Sequence, residues 1–437
     1  MYSFEVAAYL KSRTAPPAGG AVVAVPRVVY WIGLSSLLAD VSAEIVASAL
    51  PIFLFSVLQF SPLQVGFLDG LYQGGAALVS VFAAYIADRG RRNRLVALTG
   101  YALSCVSRVG LLLSANLGML AAVLSLSMDR VGKGIRTAPR DAIIAGHTPA
   151  QSMGAAFGVH RSMDAVGAFI GPLLGAGLLW WSPQNYEWLF WVSILFGAAG
   201  LVVFKTKVHQ PSAPVASATF VDASALPGLD GGGPAPLSMR AACGLLAACK
   251  PFVRLTLLAV LLCTFTISDG LLYLLLQREG HLSGAVVPLM FAATALVFIL
   301  AAVPLGRAAD RIGPVRLFLM GYAVLAVAYL SVAFGAHSNG LLVALVVASL
   351  GLHYAATDGV LVAIAARVLD ERVRTTGLAV LSSATGFMRI ASSALFGLLW
   401  QLSGQRAAVS VFAVGMVCCC IAAALTLRRL GGRRLVS

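Results

Sequence analysis

Apolar runs of roughly 20 residues, the length a helix needs to cross about 30 Å of hydrocarbon, recur along the whole chain, with short polar breaks between them. The pattern predicts twelve spans, at 28–57, 63–87, 95–115, 117–139, 154–180, 187–205, 253–276, 284–306, 315–335, 340–366, 377–401 and 407–427. The longest interval falls between the sixth and the seventh. Its Gly228-Leu229-Asp230-Gly231-Gly232-Gly233-Pro234 stretch has the composition of a flexible linker. The expected fold is therefore an all-α membrane protein with a six-helix bundle at 28–205, a linker at 206–250 and a second six-helix bundle at 251–427. Tails at 1–27 and 428–437 flank the two bundles, and Met239 to Lys250 predicts a short interfacial helix. Residues 1–26 combine Lys11 and Arg13 with a Pro-Gly-Ala patch, so they read as a tail and the first span as uncleaved.

Composition agrees with the pattern. Only 11% of residues are charged and the mean hydropathy is +0.90, far from a soluble surface. The formal charge of +14 invites a nucleic-acid partner, but its distribution argues for a bilayer instead. Alternate loops hold Arg89, Arg91, Arg92 and Arg94; Lys205, Lys207, Arg240, Lys250 and Arg254; Arg307, Arg311 and Arg316; and Arg367, Arg372 and Arg374. The other loops carry only Arg278 and Arg406, while Arg428, Arg429, Arg433 and Arg434 close the chain. Positive loops stay cytoplasmic, which predicts two cytoplasmic termini, an even number of spans and residence in the inner membrane. The seven cysteines fit no disulfide or metal spacing. No metal or cofactor is expected.

The halves also repeat. Asp88-Arg89 followed by Gly100-Tyr101 is echoed by Asp310-Arg311 followed by Gly321-Tyr322. Two matching halves related by an axis along the membrane normal form a transporter plan with the site between them.

Three motifs resemble those of the major facilitator superfamily, and the resemblance covers essentially the whole chain. Gly306-Arg307-Ala308-Ala309-Asp310-Arg311-Ile312-Gly313 is similar to the family's signature between spans eight and nine. Its twin, Ala84-Tyr85-Ile86-Ala87-Asp88-Arg89-Gly90-Arg91-Arg92, lacks the usual first glycine. Arg130-Val131-Gly132-Lys133-Gly134 resembles the fourth-span motif, with Lys133 where glutamine is common. Gly167-x-x-x-Gly171-Pro172-x-x-Gly175 resembles the fifth-span motif associated with antiporters. The resemblance implies two six-helix bundles in alternating access. It also implies a cytoplasmic latch of Asp88, Arg89, Arg92, Gly306, Asp310 and Arg311, each acidic residue being read as preceding a helix whose N–H groups stabilise it.

Ionised side chains inside a span are costly unless they meet a partner or a wet cavity, so each one is a candidate site. Counted from Leu117, Asp129 and Arg130 lie about 18 Å into span four. Asp129, Lys133, Arg136 and Arg140 share one helical stripe, and Asp129 is expected to pair with Lys133. Arg136 and Arg140 read equally well as basic anchors that snorkel to the cytoplasmic surface. Asp40 and Glu44 share a face of span one and form either a proton site or a structural pair with Arg108 or Arg130. Apolar surroundings favour the neutral form of a carboxylic acid and an approaching cation favours the ionised form, which would couple a proton to substrate. His160 and Asp164 extend that proton set, unless Asp164 simply pairs with Arg161. Substrate candidates are Arg130, Lys133, Asp129, Arg108, Arg161, Arg389 and Asp269, with Arg389 about 18 Å from its cytoplasmic end. Gly167, Gly171, Pro172 and Gly175 read as a hinge and packing ridge.

These readings favour a monomeric secondary transporter that uses the proton gradient to export a drug-like molecule, or a carboxylate metabolite or siderophore. The alternatives are a proton symporter importing an organic anion, and a membrane sensor that moves nothing. An enzyme is not expected: His-Glu-x-x-His, Gly-x-Ser-x-Gly and phosphate-loop patterns are missing.

Overall fold

The computed structural model describes residues 25–90, 93–149, 152–209, 239–335, 339–370 and 373–431. The tails, most of the 206–250 linker and Arg92 lie outside the described residues. In chain order the helices are α1 (Arg27–Ile52, prolonged by a π-helical turn at Phe53–Val57), α2 (Pro62–Gly90), α3 (Asn93–Leu117), α4 (Met119–His147), α5 (Met153–Trp181), α6 (Glu187–Lys207) and α7 (Met239–Ala248). The second half holds α8 (Lys250–Thr264), α9 (Asp269–Glu279), α10 (Val286–Ile312), α11 (Pro314–Phe334), α12 (Gly340–Val368), α13 (Arg374–Ser403) and α14 (Gln405–Gly431). Among the described residues, ten spans are long and apolar enough to cross a membrane, with α8 and α9 counted together. The other two long helices, α2 and α4, match them in length but carry Asp69, Gln73 and the charged stretch from Asp129 to Asp141. The architecture is consistent with the twelve-span expectation. Exposed Trp180, Trp181, Trp188 and Trp191 cluster at the α5–α6 turn, as aromatic side chains do at a membrane–water boundary.

Two elements differ from the sequence pattern. Span four was expected to stop at residue 139, yet α4 continues through Pro139 to His147. Its whole charged stretch is therefore helical and held inside the bundle. Span seven was expected to run unbroken over 253–276, but the chain leaves the helix between α8 and α9. Ser268 ends the break by accepting a hydrogen bond from the Leu271 amide at 3.3 Å, with Asp269 opening the first turn of α9. Tyr329 Oη accepts from the Ile267 amide at 2.8 Å and donates to the Ile267 carbonyl at 3.2 Å. Ser392 donates to the Thr266 carbonyl at 2.8 Å. Non-helical backbone at membrane depth persists only where protein groups satisfy it in this way.

The internal repeat is visible in the packing. Gly100 brings α3 against Gly132 and Arg136 of α4, while Gly321 brings α11 against His353, Ala356 and Thr357 of α12. The tyrosine that follows each glycine reaches the first span of its half. Tyr101 Oη lies 3.0 Å from Ser36 Oγ, and Tyr322 Oη lies 4.0 Å from Cys263 Sγ.

The halves meet along α2 with α13 and α5 with α10. Contact is backbone to backbone, because a Cβ on Gly70 would lie 2.9 Å from Ile390 Cα and one on Gly397 would lie 3.1 Å from Leu63 Cα. Gly175 and Pro288 approach at the same end, where a Cβ on the glycine would sit 3.6 Å from the proline Cβ. There the Arg278 guanidinium also covers the Phe55 ring at 4.3 Å, and Phe55 stacks on Trp400 at 6.1 Å. This end, opposite the basic loops, is closed.

Overpacking should open it. Gly70→Leu forces the Ile390 backbone away, at a cost of about 1–3 kcal/mol to the closed arrangement. In a background without native cysteines, Ser393→Cys should then react several-fold faster with a membrane-impermeant maleimide. An unchanged rate would show that helix contact does not close this end.

Candidate functional site

Two polar systems occupy the interior. In the first half, Asp129 is 2% exposed and takes a guanidinium on each oxygen, Arg108 from α3 on one and Arg130 on the other. Arg108 also donates to the Ser104 carbonyl at 2.5 Å and to Ser107 Oγ at 3.0 Å. Arg130 lies 3.6 Å above the Tyr72 ring and donates to the Tyr72 carbonyl at 3.1 Å, so α2 joins the cluster. The expected Asp129–Lys133 pair gives way to these closer partners, and Lys133 is instead drawn electrostatically to Glu44.

Further along α4, Arg136 and Arg140 are buried at 3% and 6% exposure. The anchor reading of both is corrected, because neighbouring helices offer acceptors inside the bundle. Arg136 donates to Ser104 Oγ at 2.7 Å, lies 4.9 Å over the Tyr101 ring and stands 3.9 Å from Asp40. Arg140 donates to Ser36 Oγ at 3.2 Å and pairs with Asp141 at 3.0 Å. Ser36 also meets His160 Nε2 at 3.1 Å. Asp164 collects the remaining nitrogens: His160 at 3.5 Å, Arg161 at 3.7 Å and Arg140 at 3.9 Å. Arg161 reaches across to Asp141 at 3.6 Å. The structure thus joins Asp40, His160, Arg161 and Asp164 through α4 arginines and Ser36. Ser36, Tyr72 and Tyr101 were not singled out as site residues from sequence; only the repeated Gly-Tyr pair pointed to Tyr101.

The second system is a cavity of about 340 Å³ beside the break in span seven. Asp269, His353, Tyr354, Asp358 and Arg389 line it from the second half, and Gln73 and Ala77 from α2. Tyr354 Oη donates to Asp269 Oδ1 at 2.7 Å, and His353 Nδ1 lies 3.1 Å from the Gly321 carbonyl oxygen. The lining extends through Leu361, Val362 and Leu381 to Leu378, one turn from the start of α13, so the cavity reaches toward the basic end. Of the sequence candidates for substrate contact, Asp269 and Arg389 line this cavity. Arg108, Asp129 and Arg130 are instead packed among α2, α3 and α4, and Lys133 and Arg161 lie outside the lining.

Gly167 and Gly171 of the fifth-span ridge pack against α1. A Cβ on Gly167 would lie 2.6 Å from the Leu37 carbonyl oxygen, and one on Gly171 would lie 2.7 Å from Glu44 Cβ. Pro172 sits within α5, and Gly175 faces both Ser48 and Pro288. The reading of Asp310 as the cap of the following helix is corrected. Asp310 and Arg311 are exposed in the last turn of α10, because the chain turns only at Gly313, where φ is 92°, and α11 starts at Pro314. Asp310 therefore ends one helix and does not cap the next. Gly306 lies one turn earlier, and Asp88 and Arg89 are in the last turn of α2.

The shared carboxylate should dominate stability. Asp129→Asn leaves two buried guanidinium groups without a counter-ion and should cost about 3–5 kcal/mol. Exposed Asp310→Asn should change stability by less than about 0.5 kcal/mol. Thermal unfolding of the purified protein in detergent compares them, and equal midpoints would remove the special standing of Asp129.

The fold agrees with that of known proteins. The family model described as Major Facilitator Superfamily matches residues 32–279 and 255–434. The uncharacterized MFS-type transporter MJ1317 of Methanocaldococcus jannaschii is 26% identical over 386 residues, covering 86% of this chain and 89% of that protein. The uncharacterized protein Rv2265 of Mycobacterium tuberculosis is 28% identical over 408 residues, covering 92% and 94%. Among solved structures, the nucleoside transporter NupG superposes with a TM-score of 0.72 at 13% identity, covering 92% of this chain and 99% of NupG. A bacterial homolog of the human lysosomal transporter Spinster, in an inward-facing and unoccupied conformation, gives 0.69 at 17% identity, covering 95% and 100%. At such identities these likenesses speak to the fold alone. With the family model matching nearly the whole chain, the protein belongs to the Major Facilitator Superfamily and is a multi-pass membrane transporter of that type.

Proposed function

We propose that the protein is a monomeric, proton-coupled exporter of a small molecule in the cytoplasmic membrane, with both termini cytoplasmic, working by alternating access. The observation that carries this reading is the pairing of a one-ended cavity with a buried titratable relay. The cavity reaches toward the basic end while α2 and α13 close the other end. With the basic loops cytoplasmic, that geometry is the state in which an exporter loads.

The relay supplies a means of coupling. Asp164 is held by nitrogens from α5 itself and from Arg140 of α4, all at 3.5–3.9 Å. A proton on Asp164 removes one of the two carboxylates that hold Arg140 and Arg161, leaves both arginines to Asp141, and so weakens the tie between α5 and α4. Asp40 stands in the same relation to Arg136 across α1 and α4. Because α5 also carries the contact with α10, the proton state of the first half bears on how the two halves rock against each other.

The test uses proteoliposomes and a solute found by screening everted vesicles with a panel of amines and carboxylates. Asp40→Asn and Asp164→Asn should each abolish accumulation driven by an imposed pH gradient while leaving solute exchange without a gradient measurable. Gradient-driven accumulation at the parent level in both variants would exclude these carboxylates from coupling. Absence of any flux from the parent would favour a sensor.

A further inference from the structure

The cavity beside the broken span has an unequal charge count, and that imbalance selects its occupant. Its lining contains two carboxylates, Asp269 and Asp358, and a single cationic side chain, Arg389. Arg389 interacts electrostatically with both. A third carboxylate stands just behind: a Cβ on Gly270 would lie 2.9 Å from Asp69 Oδ1, and Asp69 and Asp269 act on each other electrostatically. Asp69 is 3% exposed, and its Oδ2 accepts a hydrogen bond from Ser393 Oγ at 3.2 Å. An organic anion entering this space would meet an excess of negative charge in a water-poor setting. A cation would neutralise it.

The walls add shape to the charge. Phe318, Tyr322 and Tyr354 line the cavity, Tyr354 with its hydroxyl on Asp269, and aromatic rings attract ammonium groups. Leu361, Val362, Leu378 and Leu381 make the stretch toward the basic end apolar. A volume of about 340 Å³ is at the small end of ligand pockets, suited to an amine with one or two rings.

Building on the transporter reading above, we propose that this cavity binds a small protonated amine with an apolar body, its ammonium group held by Asp269 and Asp358 and its body lying along the α12–α13 wall. A proton on Asp269 or Asp358 would cancel the excess charge that attracts the ammonium ion, so amine and proton compete for the cavity.

Matched pairs that share one body and differ in charge test the proposal: phenethylamine against 3-phenylpropionate, and tryptamine against indole-3-propionate. The readout is ligand-induced thermal stabilisation of the purified protein in detergent, which reports binding without transport. The amines should stabilise it saturably and the carboxylates should not. Asp269→Asn should weaken the amines' apparent affinity about tenfold or more, Asp358→Asn should weaken it too, and Asp269→Glu should restore part of it. Stabilisation by the carboxylates, amine binding indifferent to both asparagine variants, or no stabilisation by either amine would overturn the proposal. The same compounds in proteoliposomes under a pH gradient separate the two readings. A carboxylate that accumulates while the amines stay inert leaves the transporter and removes the amine site. Amines that bind but never accumulate leave the site and remove proton-driven transport of these compounds.

Discussion

Asp129 holds two guanidinium groups from different helices, and the organisation of the first half follows from that sharing. An ionised group in the hydrocarbon region demands a counter-charge and filled hydrogen bonds. One carboxylate supplies the charge for Arg108 and Arg130, while Ser104, Ser107 and the Tyr72 carbonyl accept further N–H groups and the Nε of each arginine stays without a hydrogen-bond partner among the described residues. These partners fix α2, α3 and α4 in a single register. Close glycine approaches permit the fixing, since Gly75 meets the Arg130 stem and Gly100 meets Gly132 and Arg136. By contrast, the ion pairs from α4 to Asp40 of α1 and to Asp164 of α5 are long, at 3.9 Å. A tightly bound trio of helices is thus joined to α1 and α5 by these long pairs, by the Arg161–Asp141 pair at 3.6 Å and by hydrogen bonds to Ser36.

The second half repeats the frame and changes its chemistry. Its Gly321-Tyr322 pair occupies the place of Gly100-Tyr101, but Tyr322 meets Cys263 where Tyr101 meets Ser36. Where the first half fills its centre with arginines, the second opens a cavity around Asp269, Asp358 and Arg389. The break between α8 and α9 makes room for it, and this break has no counterpart in α1, which is continuous from Arg27 to Ile52. Twofold repetition therefore sets the scaffold, and local departures from it set the site.

Most of the scaffold was legible in the chain, because a bilayer requires long apolar runs and leaves a strong imprint on loop charge. What escaped reading depended on partners far away in sequence. Phe265-Thr266-Ile267-Ser268 contains neither glycine nor proline and looks like the middle of a span. It is held open by Tyr329 and Ser392, 62 and 126 residues away from the backbone groups they satisfy. Arg136 and Arg140 looked like anchors because their acceptors, Ser104 and Ser36, belong to other helices. Arg389 was found from its depth in the span, and Asp269 as a charge within span seven closer to the outer side. Asp69 was visible as a charge in span two, but its neighbours across the bundle were not.

Asp69 connects the cavity with the closed end, and the direction of that connection matters for export. When α2 lies against α13, Ser393 holds Asp69 in place and the carboxylate sits next to Gly270 and Asp269. The first half thereby adds negative potential to a cavity built by the second half. Parting the halves at this end withdraws Asp69 and with it part of the attraction for a cation. At the proposed amine site, affinity would accordingly be higher in the arrangement closed at this end and lower once it opens. By linkage, a bound cation favours closure to the same extent. The proposed export of an amine requires that sign, with cargo held firmly on the cytoplasmic side and weakly on the far side, and the place of Asp69 at the interface offers a physical source for it.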